Sequence, residues 1–168
     1  MQIVLPPINP PLTSELLAAV RESLQQGCLA GCRTGYPLTD LEVRVEKIPL
    51  EAGLPTEPSL RAAAQRGIVM AARDGGPLLL EPIMSLELEV PVENLGRVLG
   101  SLQQKRGRVE KLDKRGDNEV VRVSVPLSGM FGYMTELRSA TKGRGSYTME
   151  FQGFEEAPIG IQAQFGLV

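Results

Sequence analysis

The 168-residue chain contains no histidine, and that absence removes the commonest catalytic base and every imidazole-ligated metal site. Nucleophilic catalysis by serine or cysteine then lacks its usual partner. Cys28 and Cys32 lie four residues apart among glycines, with nothing to complete a four-cysteine zinc set, and read as ordinary thiols. The close carboxylate pairs, Glu87/Glu89 and Glu155/Glu156, fall on the polar side of a strand and on a terminal stretch, where solvated surface is the plain reading. No GxxxxGK[ST] loop occurs, and Gly143-Arg144-Gly145 is too short to cradle a phosphate alone. No catalytic, cofactor-binding or metal-binding residue is assigned.

What remains is charge. The chain carries a net −2, yet Arg97 to Arg144 holds eleven cations against five carboxylates, a local +6. A concentrated basic stretch can meet phosphate even in an acidic molecule. The candidates lie in turns: Lys105, Arg106 and Arg108; Lys114 and Arg115; Arg138, Ser139, Lys142 and Arg144. The longest apolar stretches, such as Pro77 to Leu80, are far short of the roughly 20 residues that span a bilayer, and Met1 opens no secretory leader. A cytoplasmic monomer with no membrane partner is expected.

The elements that position these turns fall into two halves, divided near Gly75-Gly76-Pro77. In the first, Pro6 to Pro11 is an extended lead-in. Thr13 caps a helix with Leu16, Leu17, Val20 and Leu24 on one stripe, ended by Gly27. Leu41, Val43 and Val45 alternate with charged residues as a strand, with Gln2 to Leu5 as its candidate partner. A proline-bounded loop follows, and Thr56 and Pro58 start a second helix that finishes at Arg73. Four short elements make a thin core, which reads as the later part of a domain that begins upstream.

The second half is more regular. Leu86, Leu88 and Val90 mark a strand; Leu95, Val98, Leu99 and Leu102 a helix closed by Gly107; Val109 a short strand; and Val121, Val123 and Val125 another. Ser128 is expected to cap a helix with Met130, Met134 and Leu137 inward, before a last strand through Tyr147, Met149 and Phe151. The predicted class is α+β: two small α/β sandwiches, the second a ferredoxin-like β-α-β-β-α-β with both helices on one face of an antiparallel sheet. That topology also serves RNA-recognition motifs, which stack bases on sheet aromatics. Here Glu87, Glu89, Arg122 and Ser124 occupy those positions, so any RNA contact is expected through loops and phosphates.

Several blocks carry a family resemblance. Leu79-Leu80-Glu81-Pro82-Ile83-Met84, Arg106-Gly107, Val125-Pro126-Leu127, Met130-Phe131-Gly132-Tyr133 and the long run from Leu137 to Phe151 (LRSATKGRGSYTMEF) resemble the last domain of bacterial elongation factor G. Leu29-Ala30-Gly31, Gly35-Tyr36-Pro37 and Asp40 resemble the later part of that family's fourth domain. The resemblance implies a partial fourth domain over 1–77, a fifth over 78–158 and a tail over 159–168. It implies that GTP and magnesium belong to an amino-terminal domain outside this chain. It further implies the ribosome as partner: rRNA and ribosomal proteins near the factor-binding site for the fifth domain, and tRNA–mRNA at the small subunit for a tip loop formed by Pro49, Leu50, Glu51, Ala52, Gly53 and Leu54. Where the family carries a tip histidine, this chain has Glu51, and it adds Cys32-Arg33-Thr34 before Gly35. The expected role is promotion of translocation. The altered tip suggests a paralogue for ribosome splitting or rescue as an alternative, and an interaction module without ribosome contact is a third.

Overall fold

The computed structural model describes residues 2–5, 12–48 and 55–167, and the expected tip loop, Pro49 to Leu54, lies outside them. Two compact units emerge, one of Met1–Leu78 with Ile159–Val168 and one of Leu79–Pro158.

In the first unit, β1 (Gln2–Val4) pairs in parallel with β2 (Glu42–Arg44), placing Ile3 beside Val43. Parallel neighbours need a crossover, and α1 (Ser14–Ala30) supplies it. The Thr13 hydroxyl accepts from the Leu16 N–H, as the sequence predicts. The helix does not stop at Gly27, however; it runs to Ala30 and closes on Gly31, at φ 71°. Gly27 serves packing instead. A Cβ there would fall 2.3 Å from Cγ2 of Ile68 on α2 (Glu57–Asp74), so the missing side chain lets the two helices touch. Ile3, Val20, Leu24, Cys28, Leu60 and Ile68 form the small core. Burial pushes the Cys28 thiol above its ordinary pKa, which makes it less reactive. The last residues, expected as a plain tail, form α5 (Ile159–Gln164) and pack onto this unit: Phe165 meets Tyr36 edge-on at 6.0 Å, and Arg33 donates to the Gly166 carbonyl.

The second unit is a four-stranded antiparallel sheet in the order β4-β5-β3-β6, built from β3 (Leu80–Pro91), β4 (Arg108–Arg115), β5 (Asn118–Pro126) and β6 (Ser146–Glu156). Helices α3 (Leu95–Gln104) and α4 (Tyr133–Thr141) cover one face. Register explains the layering. Leu86, Leu88 and Val90 lie opposite Val123, Val121 and Glu119, and the inward aliphatic side chains of both central strands are completely buried.

Two expectations are corrected here. The strand around Val109 is a full eight residues, every one exposed, because β4 is an edge that only β5 pairs. Ser128 does not cap α4. Leu127–Gly129 forms a single 3-10 turn, and α4 begins after Gly132, whose φ of 76° turns the chain into the helix. This shift makes Met130, Tyr133, Leu137 and Ala140 the inward row, with Met134 only half-buried.

Leu137→Ala is therefore expected to cost about 2–5 kcal/mol, and Met134→Ala clearly less, by urea unfolding. Burial raises the Tyr133 hydroxyl to about 12. The folded chain keeps that phenol neutral while the unfolded chain ionises it near pH 10, so this contribution to stability is complete below pH 10 and is lost as pH rises from 10 towards 12. Tyr133→Phe should flatten that alkaline loss, read from melting temperature against pH.

Candidate nucleic-acid interface

The nine predicted contact residues all lie in the second unit, but the fold divides them between its two ends. Strand β4 separates Arg108 from Arg115, a rise of roughly 3.3 Å per residue over its length.

At the first end, the cations are already committed. Lys105 sits 3.0 Å from Glu136. Arg106 makes a two-pronged pair with Glu81, at 2.5 and 2.7 Å, and Arg108 reaches Glu155 at 2.5 Å. These carboxylates raise both guanidinium pKa values further. Glu81, Arg106, Arg108, Ser124, Glu155 and Glu156 line a cleft of about 240 Å³ whose charges are thus largely matched within the protein. A phosphate entering there would have to displace a carboxylate.

The backbone shows why Arg106 faces Glu81. The chain leaves α3 through a left-handed residue, ordinarily glycine. Here that residue is Arg106, at φ 64°, and Gly107 follows. Gly107 is needed for another reason: a Cβ would lie 2.8 Å from the Leu102 carbonyl oxygen and 3.1 Å from Val123.

The opposite end is held by three contacts. The Val92 N–H donates to Asp117 O at 3.4 Å, the Asn94 side chain donates to Ala140 O at 3.1 Å, and Arg144 binds Glu93 at 2.6 Å. They bring the β4–β5 hairpin, the start of α3 and the end of α4 together. Arg115 lies 3.5 Å from Glu89, and the hydrogen bond from Arg144 holds the Glu93 carboxyl below the usual carboxylate range. Lys114, Arg138 and Lys142, by contrast, form no ion pair among the described residues, and all three are exposed. Arg138 lies on α4, and Lys142 caps the helix end in a left-handed conformation, φ 53°, that starts the turn through Gly143. Ser139 is exposed beside them. Arg97, on the exposed side of α3, is a further unpaired cation among the described residues. It belongs to the +6 stretch but lies outside the turns that sequence reasoning singled out.

The open sheet face carries no aromatic platform. Arg122 pairs with Glu87 at 3.0 Å, and Asn118 donates to Glu89 at 2.9 Å. Ser124 and Gln152 both donate to Glu110, the latter at 3.3 Å, and these bonds hold the Glu110 carboxyl low. Among the described residues no group of His, Cys, Asp or Glu is arranged to hold a metal ion, and no helix is long and apolar enough to cross a membrane.

A split sandwich with a charge-matched sheet, and free cations at one end only, is a module suited to recognition by shape and charge. The family model for the elongation factor G C-terminus matches residues 78–165, and the chain belongs to that family. It is 61% identical over 153 residues to "Elongation factor G 1" of Geobacter sulfurreducens, covering 91% of this chain and 22% of that protein. It is 58% identical over 168 residues to "Elongation factor G 2" of Geobacter metallireducens, covering 99% of this chain and 24% of that protein. A crystal structure of a Thermus thermophilus protein superposes with a TM-score of 0.83 at 26% identity, covering 98% of this chain and 24% of that one. The chain thus spans less than a quarter of the length of these relatives.

The division of the cations is directly measurable. Under brief phenylglyoxal treatment at neutral pH, mass spectrometry should find Arg97 and Arg138 modified before Arg106, because its two-pronged carboxylate bond holds the Arg106 guanidinium back.

Proposed function

We propose that this chain is the ribosome-contacting, carboxy-terminal part of a GTP-dependent translation factor that promotes tRNA–mRNA translocation. The observation that carries this reading is the 61% identity to a protein named elongation factor G across nearly the whole chain. The chain's part is mechanical, because its residues offer shape and charge in place of a reactive group. Guanine nucleotide and magnesium belong to the remainder of the parent protein, which acts as a cytoplasmic monomer.

In this reading the second unit meets rRNA and ribosomal protein near the factor-binding site. Phosphate is received at the end carrying Lys114, Arg138, Lys142 and Arg144, with Arg97 beside them. The unpaired state of Lys114, Arg138 and Lys142 supports that choice: they can bind without first breaking an internal contact. Arg144 must leave Glu93, but that pair is exposed and correspondingly weak. Lys105, Arg106 and Arg108 are structural in this reading. The loop Pro49 to Leu54 addresses the tRNA–mRNA at the small subunit.

A second reading follows from Glu51. An acidic residue where the family carries a tip histidine is a poor match for codon–anticodon phosphates, which favours a copy devoted to ribosome splitting or rescue. Polypeptide synthesis in a factor-depleted extract, supplied with the full-length protein, separates the two. Restored synthesis supports translocation; subunit release without synthesis supports the alternative.

Charge reversal of Arg138, Lys142 and Arg144 together should weaken ribosome binding and reduce the slope of log affinity against log salt by about 2–3, since each lost phosphate contact removes about 0.7–0.9. Neutralising Arg106 and Arg108 should leave that slope unchanged. Co-sedimentation over a salt series reads both, and an unchanged slope in the first variant would move the contact elsewhere.

A further inference from the structure

Strand β6 is the outer edge of the second unit's sheet, and its side chains do not fit an edge that faces only water. Among the described residues it pairs with β3 alone, through every residue but Gln152. Proteins usually guard such an edge with lysine or proline, because a row of unpaired N–H and C=O groups invites another strand. The other edge, β4, is guarded in this way: Arg108, Lys111, Lys114 and Arg115 are four cations in eight residues. β6, reading SYTMEFQGFEE, has no cation and no proline.

It also carries an apolar row. The register shifts by one residue beside Gln152, so that Ile83 lies opposite Gly153 and Met84 opposite Phe151. In a regular strand Phe151 and Phe154 would point to opposite faces. The extra residue puts both on the same side, with ring centroids 5.2 Å apart at 65° and exposures of 57% and 58%. Met149, two residues before Phe151, is also exposed. The carboxylates Glu150, Glu155 and Glu156 are the strand's only charged groups; Glu155 is held by Arg108, whereas Glu150 forms no ion pair among the described residues.

The geometry points to the β6 edge as a docking site for an extended, basic segment of a partner protein, added as a fifth strand. The backbone edge supplies the hydrogen-bond ladder, Met149, Phe151 and Phe154 receive every second side chain of the incoming strand, and Glu150 meets its cations. Charge complementarity selects this occupant. A second copy presenting its own β6 would bring Glu150 against an edge that likewise carries no cation, and nucleic acid would meet at Glu150 a carboxylate that no ion pair among the described residues offsets. This assignment is independent of the phosphate-binding end and stands whether or not that end meets rRNA.

The test uses the 168-residue chain with two synthetic heptapeptides, one alternating lysine with valine and the other glutamate with valine. Hydrogen exchange and fluorescence anisotropy follow binding. The lysine peptide should bind saturably, slow exchange of β6 amides that do not bond β3, and weaken as salt rises; the glutamate peptide should not bind. Phe154→Lys, at an exposed position, should weaken the lysine peptide at least fivefold while the melting temperature is retained. A second variant, Glu150→Lys, should do the same without touching the aromatic pair. Absence of binding, protection of β4 in place of β6, or affinity unchanged in both variants would overturn the proposal. So would concentration-dependent self-association in the ultracentrifuge that Phe154→Lys abolishes, because the edge would then serve a second copy. Binding of a single-stranded RNA oligomer at β6 would overturn it equally.

Discussion

The alternation of side chains across β3 and β5 is the constraint on which the second unit rests. With a period of two, every aliphatic residue sent inward sends its neighbour outward. Leu86, Leu88, Val121, Val123 and Val125 disappear into the core, so Glu87, Arg122 and Ser124 must share the opposite face. Once there, they find one another, Arg122 beside Glu87 and Ser124 beside Glu110. The open face becomes a lattice of matched polar groups. With Glu87, Glu89, Arg122 and Ser124 at the outward positions, the central strands offer no aromatic surface for stacking bases.

The charge map follows from this arrangement. Exposed ion pairs contribute little to stability one by one, but they decide where a cation points. The +6 of the stretch from Arg97 to Arg144 is offset across the fold by carboxylates from outside it, namely Glu81, Glu87, Glu89, Glu93 and Glu155. What survives as unmatched positive charge is confined mainly to the end where α4 finishes and the β4–β5 hairpin turns.

Much of the fold was legible because its signals are local. Thr13 and Thr56 cap helices through their own hydroxyls, and the aliphatic alternation of β3 and β5 can be read directly from the chain. The misreadings arise where a residue serves a distant neighbour. Gly27 looks like a helix end but is a helix–helix contact with Ile68, and Gly132 starts α4 by its backbone angle with no side-chain cap to announce it. The bulge at Gln152 leaves no mark in the alternation of Tyr147, Met149 and Phe151. The candidate interface was legible as composition but not as geometry. Arg106, Arg108 and Arg144 meet carboxylates 25, 47 and 51 residues away, and no local pattern separates a paired arginine from an unpaired one.

The exit from α3 joins backbone conformation, packing and charge at one turn. One glycine stands where two would be convenient, and the crowding of Leu102 and Val123 assigns it to position 107. The left-handed step therefore falls to Arg106, and its side chain clasps Glu81 at the start of β3. The motif Arg106-Gly107 thus works as a rivet between a helix end and the first strand. Its two letters answer a tethering and a steric need respectively, and neither need depends on what the module binds.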